Sequence, residues 1–273
     1  MPVLALPFPD IDPVAISIGP VSIKWYGLAY VAGLLLGWWY VKRLLSDRAL
    51  WRSGEPPMRP ADVDDLFLWV ALGVIAGGRL GQVLLYEPRY YFSNPLEIFK
   101  IWKGGMAFHG GMIGTIVAMW FFARSRRVEA LSVMDLVAAA VPIGLFFGRI
   151  ANFINGEVVG RPSSVPWAMP IPGYGPEPRH PSQLYEAFLE GFVLFLLLLW
   201  LIRKRQALAT PGLIGASFLA GYGALRMFCE LFKHEEYSTV FSSLPVTTGF
   251  VYSALMAIAG LIGLAWVRGR RPT

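Results

Sequence analysis

Long apolar stretches alternate with short polar segments along the whole chain, at about 23–41, 65–86, 106–123, 133–151, 184–202, 211–229 and 248–267. Each is close to the roughly 20 residues that carry an α-helix across the hydrocarbon core of a bilayer. The pattern predicts an all-α, polytopic integral membrane protein with seven transmembrane helices, built as a single domain over residues 1–273. Between 156 and 182 the pattern breaks. Pro162, Pro166, Pro170, Pro172, Pro176, Pro178 and Pro181, with several glycines, predict a long non-helical loop that could cap a site. Near the start, Pro7, Pro9, Asp10, Asp12 and Pro13 interrupt any apolar leader core, so no cleavable signal peptide is expected before the first span.

Composition agrees with that reading. The 273 residues are 55% hydrophobic and only 15% charged, and the mean hydropathy is +0.52, which excludes an ordinary soluble domain. A net charge of +6 invites a nucleic-acid reading, but its placement argues for topology instead. Basic residues cluster at Lys42 to Arg59, Arg124 to Arg127, Arg203 to Arg205 and Arg268 to Arg271. Because such clusters stay on the cytoplasmic side, they predict an external N-terminus, cytoplasmic loops after spans one, three and five, and a cytoplasmic C-terminal tail. No nucleic-acid partner is expected. Cys229 is the only cysteine, so a disulfide framework is excluded.

Three arginines interrupt the apolar stretches, each after small residues: Arg79, Arg149 and Arg226. An intramembrane arginine is costly and by default faces the protein interior, where it needs a counter-charge or an anionic ligand. If Asp64, Asp135 and Thr210 start their helices, the three lie about 21 to 24 Å along parallel spans, in the outer third. Neighbouring Gly77, Gly78, Gly144, Gly148, Gly221 and Gly223 permit close helix approach, which favours bringing the guanidinium groups together. The alternative is three separate structural ion pairs, which need no common depth.

Other polar groups collect on the same side: Tyr26, His109, Gln183, Tyr185, Glu186 and Glu190. Asn152 shares a helix face with Arg149, and Glu230 with Arg226. Tyr26 also fits an interfacial belt tyrosine, and Glu190 fits a partner that satisfies a buried donor. His109 reads either as a satisfied hydrogen-bonding group or as a proton acceptor, since histidine titrates near neutral pH. His109, His180 and His234 lack metal-ligand spacing, so no metal is expected. What remains is an arginine-rich pocket reached from lipid, whose natural ligand is a lipid phosphate, because the guanidinium fork matches phosphate oxygens.

The stretches FPDIDPVAISIGPVSIKWYGLAY, GGRLGQVLLYEP, GGMAFHGGMIG, GRIANFINGEVVGRP and RHPSQLYEA, with the Arg226 to Glu230 pair, resemble the bacterial prolipoprotein diacylglyceryl transferase family over nearly the whole chain. The resemblance implies transfer of the diacylglyceryl group of phosphatidylglycerol to the lipobox cysteine of a prolipoprotein, with no cofactor. It implies a place in the bacterial cytoplasmic (inner) membrane, with the site facing the outer leaflet and the bilayer and prolipoprotein segment as partners. Position by position it implies roles for Tyr26, His109, Arg149, Asn152, Glu157, Gly160, Arg226 and Glu230. On the chemistry of transfer, Arg149 and Arg226 are expected to stabilise the departing phosphate and His109 to take the thiol proton. Asn152 and Tyr26 are expected to orient the headgroup, and Glu157 and Glu230 to hold arginines. Gly160, Gln183 and Arg79 are expected at the substrate, Arg79 in a structural or headgroup-positioning role. Val158, Val159 and Met227 depart from the family pattern, which bears on loop packing. A transporter or flippase for an anionic lipid or solute is the alternative, and a non-catalytic scaffold a third; polar groups confined to the outer third argue against a transport pathway.

Overall fold

The computed structural model describes residues 6–9, 11–19, 21–52, 54–234 and 247–270. Asp10 of the N-terminal segment and Arg271 of the basic tail lie outside the described residues. The chain opens with a hairpin that the apolar periodicity did not announce. Strands β1 (Val14–Ile18) and β2 (Val21–Lys24) pair antiparallel, with Ile16 opposite Ile23. Gly19, at φ +59°, makes the turn that a residue with a Cβ resists. Alternating Val, Ile and Ser fit a pleated ribbon, and β2 runs directly into α1 (Trp25–Ser46).

The long helices follow the apolar stretches. After α1 come α2 (Asp62–Gly81), prolonged by a π-helical turn Gln82–Tyr86, the short α3 (Pro88–Ser93), α4 (Phe108–Arg126) and α5 (Ala130–Ile154). Next, α6 (Ser182–Glu186), a π-helical stretch Ala187–Val193 and α7 (Leu194–Arg205) form one continuous rod. Finally come α8 (Leu213–Glu230) and α9 (Thr248–Gly269). Four helical segments, Asp62–Tyr86, Ala130–Ile154, Ser182–Arg205 and Thr248–Gly269, are long and apolar enough to cross a membrane.

Helices pack most extensively as α2 on α4, α8 on α9 and α1 on α5. Small residues allow this. A Cβ on Gly81 would lie 2.7 Å from Gly110 Cα, so the α2–α4 crossing tolerates nothing larger at that point. The apolar core gathers at the end of the bundle that carries the basic clusters, around Leu44, Leu45, Phe122, Leu136, Leu198, Ile202 and Ile214.

The expected helix starts need correction. The α2 helix begins at Asp62, α5 at Ala130 and α8 at Leu213. Asp135 is a fully buried cap for a different helix: its carboxylate accepts the Gly212 N–H at 2.8 Å and the Gly215 N–H at 2.7 Å. Those donors have no partner within their own first turn, and the negative charge suits a helix N-terminus. Asp135 therefore fixes α8, and with it Arg226, relative to α5.

Candidate active site

Three cations and three carboxylates meet at the opposite end from the apolar core. Arg149 comes from α5, Glu186 from α6, Glu190 from the π-helical stretch, Arg226 and Glu230 from α8, and Lys233 from the turn beyond it. Glu186 and Glu190 are fully buried; set four residues apart on one rod, they face the same neighbours. Arg149 Nε lies 3.2 Å from Glu186 Oε2, and its Nη2 lies 3.8 Å from Glu190 Oε2. Arg226 Nη1 pairs with Glu186 Oε1 and, at 3.4 Å, with Glu190 Oε1, while Nη2 holds Glu230 Oε1 at 2.8 Å. Burial of such charges is tolerable only when they are mutually compensated, and here the charges balance.

Lys233 completes the balance, 3.4 Å from Glu186 Oε1 and 3.5 Å from Glu230 Oε1. Burial, then the neighbouring Arg226, pushes its ammonium down to about 8. Sequence reasoning missed this residue, because a lysine just past an apolar stretch reads as an interfacial charge. Glu230 is held from its other side by the Thr247 hydroxyl at 2.9 Å, and Thr247 also caps α9 through the Phe250 N–H at 3.0 Å.

Of the three intramembrane arginines, two come together and the third does not. Arg79 spends its donors on backbone carbonyls: Ile98 at 2.8 Å, Gly104 at 2.7 Å, Gly105 at 3.0 Å, and also Glu97. Of the two roles expected for Arg79, structural or headgroup-positioning, these contacts fit the structural one: its donors serve a loop, which it holds in place from inside. Arg149 and Arg226 are united by common carboxylates, Glu186 and Glu190.

Glu157 holds no arginine among the described contacts. Its carboxylate accepts from Asn152 Nδ2 at 3.4 Å and Asn155 Nδ2 at 3.5 Å. Gln183, fully buried, donates to the Glu157 carbonyl at 2.6 Å and so supports that turn. Tyr26 shares a hydrogen bond with Tyr30, oxygen to oxygen, at 3.0 Å. His109, in the first turn of α4, lies with Nδ1 3.3 Å from Tyr86 Oη and its ring 5.7 Å from that of Tyr252. The described contacts do not join it to the arginine pair.

Gly160 acts through the backbone. Segment 159–163 lies between 232–234 and 178–180: Arg161 N–H donates to the Phe232 carbonyl at 3.0 Å, His234 N–H to Val159 at 3.2 Å, and His180 N–H to Arg161 at 3.1 Å. Strands β3 (Met169–Pro170) and β4 (Pro178–Arg179) extend the pairing. A Cβ on Gly160 would sit 2.7 Å from the Phe232 carbonyl oxygen, so only glycine fits between the two neighbours. Gly160 thus lets the proline-rich loop clasp the end of α8.

An apolar groove of about 470 Å³ lies beside the charge cluster. It runs between α1, α2 and α5, with Tyr30, Arg149 and Asn152 at one end and Trp38, Val41 and Val63 at the other. A long hydrocarbon attached to an anionic head fits that division.

The profile of the prolipoprotein diacylglyceryl transferase family matches residues 13–266. This chain belongs to that family. It is 50% identical over 264 residues to the phosphatidylglycerol--prolipoprotein diacylglyceryl transferase of Sinorhizobium medicae, covering 96% of this chain and 94% of that protein. Identity to the proteins of the same name from Brucella canis and Mesorhizobium japonicum is 51% over 263 residues and 46% over 267, covering 96% and 97% of this chain and 93% of each relative. Within this family of membrane enzymes, the departures at Val158 and Val159 are absorbed locally. Val158 takes φ +55°, its carbonyl accepting from Ser182 Oγ at 3.3 Å, and Val159 is buried.

Proposed function

We propose that this chain transfers the diacylglyceryl group of phosphatidylglycerol to the lipobox cysteine of prolipoproteins, at the outer leaflet of the bacterial cytoplasmic membrane. In this reading one transmembrane domain crosses the membrane seven times, through α1, α2, α4, α5, the α6–α7 rod, α8 and α9, with the N-terminus outside and the C-terminus in the cytoplasm. The names of the relatives support the substrates, and the basic clusters support the orientation. The observation that carries the reading is the apolar groove that ends at Arg149 and Asn152, next to the Arg226 cluster.

Transfer forms a carbon–sulfur bond and breaks the carbon–oxygen bond between the diacylglycerol moiety and the phosphate. The electron pair of that bond leaves on oxygen, so the phosphate gains negative charge as the bond breaks. Arg149 and Arg226 hold donors where that charge develops, and losing one such donor costs roughly 3 to 4 kcal/mol of transition-state stabilisation. Their carboxylate partners pre-set the guanidinium angles before the lipid arrives. The thiol must lose its proton, since thiolate is the nucleophile; His109 is the acceptor in this reading. Asn152, paired with Glu157 and lining the groove, faces the headgroup end.

Purified protein incubated with phosphatidylglycerol and a lipobox peptide tests the reaction. Thioether product with released glycerol phosphate is expected. Lipid movement across vesicles without a thioether would instead identify a flippase.

A further inference from the structure

The groove has an anchored side chain at its far end. Along α1 its lining extends from Ala29 to Val41, which at helical rise is about 18 Å. Trp38 sits at that end and its indole is fixed: Nε1 donates to Asp64 Oδ1 at 2.6 Å, while Lys42 Nζ lies 4.0 Å above the ring and 2.8 Å from the same carboxylate oxygen. Swinging the ring aside would break a charge-assisted hydrogen bond and a cation–π contact together. The side wall, by contrast, has been left open. A Cβ at Gly144 or Gly148, both lining residues, would meet no atom within 4 Å.

Resting on the transfer reaction above, we propose that Trp38 is the length stop for one acyl chain of the donor lipid, so that the enzyme selects phosphatidylglycerol by chain length. Each leaflet occupies half of a hydrocarbon core of roughly 30 Å, so a chain that fills one leaflet spans ~15 Å and fits the groove nearly straight. Burial alone confers no selectivity here, because lipid tails are as apolar as the groove wall. Length is read sterically at the floor. A chain that is too short leaves a void above Trp38, and one that is too long pushes the glycerol backbone away from Arg149 or must bend.

The test is a competition: full-length protein, a lipobox peptide and an equimolar mixture of dilauroyl-, dipalmitoyl- and diarachidoyl-phosphatidylglycerol, with the thioether products sorted by mass. The ratios are internal to each sample, so loss of total activity does not distort them. Trp38→Ala should raise the diarachidoyl-to-dipalmitoyl product ratio by about fivefold or more, the change expected for relief of one methyl-sized misfit. Gly144→Leu, which fills the groove, should shift product the other way, toward the dilauroyl chain. If Trp38→Ala does not fold, Trp38→Leu supplies a smaller enlargement in the same direction with an apolar wall retained. Product ratios identical to wild type in the enlarged and the filled variants would overturn the length stop and leave the transfer reaction standing. Absence of thioether from any of the three lipids with the unaltered protein would overturn the reaction itself.

Discussion

Arg226 and Lys233 rest on the same two oxygens, Glu186 Oε1 and Glu230 Oε1. The arginine belongs to α8, and the lysine to the turn that pairs with the proline-rich loop through the Gly160 bridge. Two cations that share carboxylates each keep donor capacity beyond them, which in the proposed reaction would meet the phosphate of the lipid head.

Arg149→Lys keeps the charge and loses the fork. One ammonium cannot serve Glu186, Glu190 and a phosphate from a single atom. The expected result is a fall in kcat of about 10²- to 10³-fold with the protein still folded, measured as thioether formation at saturating lipid. Near-normal turnover would reduce Arg149 to a general electrostatic contributor.

Burial and the neighbouring Arg226 push the Lys233 ammonium down to about 8, so its charge is expected to be lost as pH rises through that range. Above that point the cluster holds two cations against three carboxylates, and an anionic lipid is bound less well. KM for phosphatidylglycerol is therefore expected to rise as pH increases through 8, and Lys233→Arg, which stays charged, should flatten that rise. A KM profile that is the same in both proteins would remove Lys233 from lipid binding.

Gly160→Ala places a methyl 2.7 Å from the Phe232 carbonyl oxygen and 2.8 Å from His180 Cβ. Overpacking of this kind costs roughly 1 to 3 kcal/mol, and here it separates the loop from the end of α8. Thermal unfolding in detergent should show a lower Tm, with transfer reduced in parallel. An unchanged Tm would mean that the loop closes by another route.

The helices were legible because an apolar run of span length has few other uses; the stretch at 248–267 lies inside α9, Thr248–Gly269. The hairpin was not, because its Val and Ile alternation abuts the apolar run of α1 and is too short to stand out. Arg149 and Arg226 were visible as charges where charge is costly. That Arg79 serves a loop could not be read, since its partners are backbone carbonyls, which carry no signature in a sequence. Asp135 looked like a helix start, and it caps a helix 77 residues further on. Gly160 matched a motif, but its reason lies in two segments remote from it in sequence.

The proposed orientation rests on the basic clusters. Single cysteines placed in the Arg203–Arg205 segment should resist a membrane-impermeant maleimide added to intact cells, and cysteines in the 156–182 loop should react. Labelling of the first set from outside would reverse the leaflet in which the arginine cluster works.

His109 is the remaining question of proton transfer. Its Nδ1 lies 3.3 Å from Tyr86 Oη; in the neutral tautomer that donates from Nδ1, the lone pair stands on Nε2, which is the atom that would take a thiol proton. His109→Gln keeps a polar side chain without that basicity. If His109 is the base, the variant retains lipid binding, loses rate at neutral pH and recovers part of it in alkali, where a free thiol ionises unaided near a pKa of about 8.5. If His109 only supports the first turn of α4, rate and lipid affinity should fall together, with no selective recovery. Rate against pH at saturating phosphatidylglycerol separates the two, because parallel profiles for both proteins would take the base role from His109 and leave the roles of Arg149 and Arg226 unchanged.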